Sequence, residues 1–292
     1  MSMHSFILKR IINNKPNNAG TSSGIIRYDN ILYGRNRKWN LLDLYVPDDR
    51  PRPLPIIVNI HGGAWVTGKK EQSEFYCLDM ARRGFAVVNF TYRLAPRWKH
   101  PAPMEDCNNV VLWLLEHAKE YDLDTNSVFL IGDSAGAHNA AMYACMITSP
   151  KYAKKFDIKL AEFRPSAICL NCGVYDIQLE LNNDPKKMMK NLMGDFLGRG
   201  YGEDEVQNAS PIYHITSSFP RTFLMSATGD FLLRQVEPFD RRLTELGVEH
   251  ITKVYGDETN KLDHVFHCLD VNAEPAILAN DEQADFLRKY IK

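Results

Sequence analysis

Gly132-Asp133-Ser134-Ala135-Gly136 follows the apolar run Ser127-Val128-Phe129-Leu130-Ile131 and precedes a small-residue stretch, residues 137–147. The pentapeptide reads G-x-S-x-G between a strand-like and a helix-like segment. A serine on such a tight turn has its hydroxyl pushed out above the sheet edge. Glycines flank it because side chains there would meet neighbouring backbone. Ser134 is therefore the candidate nucleophile. The pentapeptide alone is a weak signal, since small-residue turns are common; its flanks and the second motif below give it weight.

Working outward, short apolar runs at 56–60, 85–90, 128–131, 167–170 and 222–225 read as strands buried on both faces. Residues 250–255 alternate and make a sixth, and strands are also expected at 24–28 and 41–46. Helical spacing falls between the runs: Met104, Cys107, Val111, Leu114 and Ala118; then Val236, Phe239, Leu243 and Leu246, with Gly247 at the stop position. The last segment places Ile277, Ala284, Leu287 and Ile291 on one face. Strands alternating with helices predict an α/β protein with a mostly parallel central sheet and helices on both faces. Functional groups then collect beyond the carboxyl ends of the strands. Residues 175–218 break the rhythm and are expected to form a small helical cap. Residues 1–40 are expected to be an N-terminal arm, contributing to the cap, before one large α/β domain at 41–292.

The length of 292 residues suffices for one large core. A net charge of −1 implies no broad attraction to nucleic acid or to a membrane. Phe6-Ile7-Leu8 is cut short by Lys9-Arg10, so no secretory signal is expected. No run approaches bilayer length, and a cytoplasmic location follows as the default. The six cysteines, at 77, 107, 145, 169, 172 and 268, are scattered as buried reduced thiols would be. Cys169 and Cys172 fall in one apparent strand, 167–173, where positions three apart face opposite ways. They are expected to be core thiols. His4, His100, His117, His138, His214 and His250 show no metal-ligand spacing, so no metal is assigned.

His61-Gly62-Gly63-Ala64-Trp65 directly follows the run at 56–60. Acyl transfer through a serine builds negative charge on the former carbonyl oxygen, and fixed backbone N–H groups suit that charge. The N–H groups of Gly62, Gly63 and Ala135 are the expected oxyanion donors. His61 is expected to hold the glycine turn. A serine hydroxyl needs an adjacent base, and the base a carboxylate to orient it. Asp230 lies just past 222–225 and His264 in a loop after the final strand, so the chain order is Ser, Asp, His. His267 competes with His264 for the base. Glu237 and Asp257 compete with Asp230, one within a helix and the other beyond the last strand.

Together these features resemble the α/β-hydrolase superfamily, and more closely the hormone-sensitive-lipase-like esterases. The resemblance rests on His61-Gly62-Gly63-Ala64, Tyr92-Arg93-Leu94-Ala95-Pro96, Pro101-Ala102-Pro103-Met104-Glu105-Asp106 and Gly132-Asp133-Ser134-Ala135-Gly136. It runs from about residue 41 to the C-terminus. It implies the α/β-hydrolase fold and hydrolysis of small-molecule carboxylic esters with short acyl chains, without a cofactor. Departures are Arg97 after Tyr-Arg-Leu-Ala-Pro, Asp230-Phe231-Leu232 at the acid and His264-Val265-Phe266 at the base; they leave the natural substrate open. Ser134 to His138 with His-Gly-Gly-x-Trp also looks like arylformamidases, which open an N-formyl amide with the same groups. A non-catalytic small-molecule binding module on this fold is the reading from a different class. Trp65, Tyr92, Phe231, Val265 and Phe266 adjoin the motifs and are the expected pocket walls. Glu105 and Asp133 are expected to be structural hydrogen-bond partners. Assembly into homo-oligomers stays open.

Overall fold

The computed structural model describes Ser2 and residues 23–292. Eight strands form one sheet: β1 (Ile25–Leu32), β2 (Leu41–Pro47), β3 (Leu54–Ile60), β4 (Ala86–Phe90), β5 (Leu123–Asp133), β6 (Ala167–Asn171), β7 (Arg221–Ala227) and β8 (His250–Tyr255). Their order is β1-β2-β4-β3-β5-β6-β7-β8. β2 pairs antiparallel with β1 and β4, and every other pairing is parallel. This is the α/β-hydrolase fold.

Apolar residues at successive positions need cover on both faces of a sheet. Along β3, Ile56, Val58 and Ile60 enter one core while Ile57 enters the other. β5 does the same, with Val128 and Leu130 on one side and Phe129 and Ile131 on the other. The helices α1 (Glu74–Arg82), α2 (Ala102–His117), α3 (Ala135–Thr148) and α4 (Pro150–Ala153) follow in order. α2 and α3 cover one face through residues such as Met104, Leu114, Ala140 and Tyr143. α1 covers the other through Tyr76, Cys77 and Met80. Each fully buried Leu, Ile, Val, Phe or Met among them contributes about 1.5–3 kcal/mol.

Between β6 and β7 the chain leaves the sheet and forms α5 (Ile177–Asn182), α6 (Met188–Phe196) and α7 (Glu203–Asn208). Their apolar sides do not join either sheet core. Ile177, Met189, Leu192, Met193, Phe196 and Val206 instead build a third cluster with Trp65, Val66, Ala95 and Ala135. That cluster seats this segment on the loop after β3 and on the start of α3. α8 (Val236–Glu245) then returns to the α2 and α3 face, while α9 (Phe266–Leu269) and α10 (Glu274–Arg288) join α1.

Two expectations need correction. Residues 25–32 are not an arm: β1 pairs along β2, from Ile25 opposite Pro47 to Leu32 opposite Leu41, so the sheet starts well before residue 41. As an edge strand it keeps most side chains in solvent, and this blurs its apolar pattern. Most of the expected arm lies outside the described residues, though the Ser2 N–H donates to Asp195 Oδ2 on α6 (2.6 Å). Cys172 is also not within a strand. β6 stops at Asn171, and Cys172 turns the chain at φ 52°.

Candidate active site

β5 ends at Asp133 and α3 begins at Ala135, so Ser134 alone makes the turn, at φ 54° and ψ −119°. That conformation is costly for a residue with a Cβ and persists only where its surroundings impose it. The Ser134 N–H donates to the Asn171 carbonyl at the end of β6 (2.8 Å). α3 then passes over the end of β3 so closely that a Cβ on Gly136 would lie 1.9 Å from the Ile60 carbonyl oxygen. This approach sets the amino end of α3, with its unpaired first-turn N–H groups, beside the loop that follows β3.

In that loop Gly63 has φ 122°, and Ala64 and Trp65 are left-handed at 50° and 61°. The Gly63 carbonyl accepts from the Val66 and Thr67 N–H groups, which closes the turn. His61 stacks on Tyr92 at 4.2 Å between ring centroids. The Tyr92 hydroxyl donates to the His61 carbonyl, and His61 Nδ1 lies 2.7 Å from the Gly62 carbonyl. Burial lowers the His61 pKa to about 4, so this ring stays neutral and structural.

His264 Nε2 lies 2.9 Å from Ser134 Oγ, and its Nδ1 lies 2.7 Å from Asp230 Oδ1. An ionised carboxylate only accepts, so Nδ1 carries the proton and Nε2 is left to accept from the serine hydroxyl. Asp230 also accepts from the Leu232 N–H at Oδ1 (2.8 Å) and from the Ser226 hydroxyl at Oδ2 (2.8 Å). Burial works to raise the Asp230 pKa. The bonds from His264, Leu232 and Ser226 outweigh it and hold the carboxyl below its usual value.

The competing residues lie elsewhere. His267 is fully buried, beside Tyr76 and within reach of the Asn171 amide, and burial lowers its pKa to about 3. Glu237 pairs with Arg241 along a helix, and Asp257 caps its own loop at Thr259 and Asn260. Glu105 and Asp106 bind the Arg93 guanidinium, at 2.5 and 3.0 Å. Asp133, largely enclosed, has its carboxyl pushed up to about 6 by burial, against the pull of His264 and the Gly62 N–H.

The expected pocket walls divide. Phe231 is 55% exposed and its ring stands 4.4 Å from His264, at the mouth of the site. Val265 adjoins His264 at φ 53°. Tyr92 has no exposed surface and supports the His61 loop instead. Phe266 turns into the core against Tyr255. Trp65 is buried, stacked on Phe196 of α6 at 4.9 Å, and its indole N–H donates to His138 Nδ1 (3.0 Å). The indole thereby fixes the His138 tautomer, whose Nε2–H donates to the Ala209 carbonyl (2.7 Å). Adjacency to a motif in sequence does not decide which way a side chain points. One further neighbour, expected only as a core thiol, is Cys172, whose sulfur lies within 4.8 Å of the Asp230 and His264 donor atoms.

This sheet, with a nucleophile elbow facing an imidazole and a carboxylate, defines an α/β hydrolase. The chain belongs to the BD-FAE family, whose model matches residues 42–238. It is 28% identical to esterase LipQ of Mycobacterium tuberculosis over 83% of this chain and 57% of that protein. It is 31% identical to an esterase of Gibberella moniliformis over 68% of this chain and 64% of that one. The chain thus spans roughly half to two thirds of these relatives' length. Among solved structures, esterase B from Lactobacillus rhamnosis superposes with a TM-score of 0.86 at 22% identity, covering 98% of this chain and 91% of the other.

Proposed function

We propose that this chain is a serine hydrolase that cleaves small carboxylic esters of short acyl chain through an acyl-enzyme. One observation carries the proposal: Ser134 Oγ, His264 and Asp230 stand in a single hydrogen-bonded line, at 2.9 and 2.7 Å. Ser134 attacks the ester carbonyl as His264 Nε2 takes its proton. Asp230 orients the ring and stabilises its charged form. The imidazolium returns the proton to the leaving alcohol, and water resolves the acyl-enzyme by the same route. Gly63 and Ala135 are the principal oxyanion donors, because the Gly62 N–H already has the Asp133 carboxyl as a partner. The short acyl preference is supported by the cap, whose Met189, Leu192, Met193 and Phe196 fill the apolar space above the β3 loop. The esterases among its relatives support the ester over the amide.

Among the described residues no helix is long and apolar enough to cross a membrane. Cys77, Cys107, Cys145, Cys169 and Cys172 are buried thiols, which supports a reducing, cytoplasmic setting.

Ser134→Ala is expected to lower turnover of p-nitrophenyl acetate by several orders of magnitude with the melting temperature little changed. A fluorophosphonate probe should label the wild type at Ser134 and leave the variant unlabelled. Full activity in Ser134→Ala would remove this serine from the reaction.

A further inference from the structure

We propose that Cys172, Asp230 and His264 form a chelating site for one thiophilic divalent cation, zinc or cadmium, and that its occupation switches the hydrolase off. The three side chains come from three separate loops at one edge of the sheet, after β6, β7 and β8. One sulfur, one carboxylate oxygen and one imidazole nitrogen lie within 4.8 Å of one another. This donor set suits zinc and its heavier congener. Bond lengths of about 2.0–2.3 Å place tetrahedral donors roughly 3.3–3.6 Å apart. The His264 Nδ1 and Asp230 Oδ1 atoms, now 2.7 Å apart, open slightly while the thiol closes in.

Charge and proton balance fit a buried centre. The cation displaces the thiol proton to solvent, so thiolate and carboxylate together cancel its two positive charges and no uncompensated charge is left inside. A fourth ligand position is left to water.

The consequence for His264 follows from its tautomer. The metal takes Nδ1, and the single proton of the neutral ring moves to Nε2. That nitrogen can then no longer accept from Ser134. Cys169, the other member of the C-x-x-C pair, lies in the core on the α1 and α10 face, so the two cysteines do not share a site. The switch rests on the serine-hydrolase reading above; the binding itself does not.

The test titrates the full chain with cobalt(II), whose thiolate charge-transfer absorption reports sulfur ligation directly. The wild type should show this band saturating at one equivalent. Cys172→Ser and Cys172→Ala should lose it and bind cadmium tenfold or more weakly (roughly the scale of an outer-shell loss, here a lower bound). Cys268→Ser, which alters the nearby thiol that donates to the Val265 carbonyl, should keep it. Cadmium should then inhibit p-nitrophenyl acetate hydrolysis in step with binding, reversibly with EDTA, and Cys172→Ser should lose that sensitivity. Absence of the band in the wild type, or its persistence without Cys172, overturns the site; the wild-type spectrum decides even if the variants fail to fold. Binding with unaffected hydrolysis overturns the switch. A chain inactive on esters before any metal is added counts against the hydrolase reading and leaves the cobalt titration valid.

Discussion

The two halves of the candidate site are held in place by different means. The nucleophile half is positioned by backbone: Ser134 sits at φ 54°, Gly63 at φ 122°, and α3 crosses the end of β3 within a hydrogen atom's allowance at Gly136. The acid and base half is positioned by side-chain hydrogen bonds: Ser226 and the Leu232 N–H on Asp230, and Asp230 on His264. Backbone packing tolerates almost no adjustment. A hydrogen-bonded pair on two loops can rearrange at the cost of a few bonds. One half fails by unfolding, the other by losing its chemistry.

That contrast can be broken from either side. Asp230→Asn should cost about four orders of magnitude in kcat, because the amide no longer enforces the Nδ1–H tautomer, while the fold survives. Steady-state kinetics beside a thermal melt would check both parts. Gly136→Ala should do the reverse. A Cβ 1.9 Å from the Ile60 carbonyl forces α3 off β3, with an expected loss of about 4 kcal/mol or more in denaturant unfolding. A variant that melts like the wild type would show that this crossing is looser than described.

The smallest effect separates the halves by pH. The Asp133 carboxyl titrates near 6 in the folded chain and near 3.9 when unfolded, so the folded state binds that proton more tightly. Its contribution to stability is fully present below about pH 4 and is lost as pH rises through 6. Asp230, held below its usual value, has the opposite sign: its contribution is present above the unfolded pKa and lost in acid. Asp133→Asn should therefore gain on the wild type by roughly 1–3 kcal/mol between pH 4 and 7, measured by urea unfolding at each pH. A constant difference across that range would show that Asp133 does not titrate there.

The same division explains what could be read from the chain alone. Backbone constraints leave glycines at fixed offsets, so Gly132 to Gly136 and Gly62-Gly63 announced the elbow and the loop. The strand and helix rhythm followed from runs that are apolar on both faces. Side-chain partnerships leave no such mark. Ser226 and Cys172 approach Asp230 from the ends of β7 and β6; Ser226 carries no motif, and the spacing of Cys169 and Cys172 marked only a core thiol. Tyr92 and Phe266 adjoin motifs yet point into cores, because direction depends on the local turn rather than on sequence distance. β1 was placed as a strand but assigned to the arm, since an exposed edge shows little of the apolar pattern that marks its partners.

The relay from Trp65 through His138 to Ala209 joins the segment above the site to the loop that bears Gly63. His138 belongs to α3, so lifting that segment breaks the bond to Ala209 and the Phe196 stack on Trp65, a tryptophan already wound left-handed. The cover over the site and the loop beneath it are thus tied through one indole face and one imidazole bond.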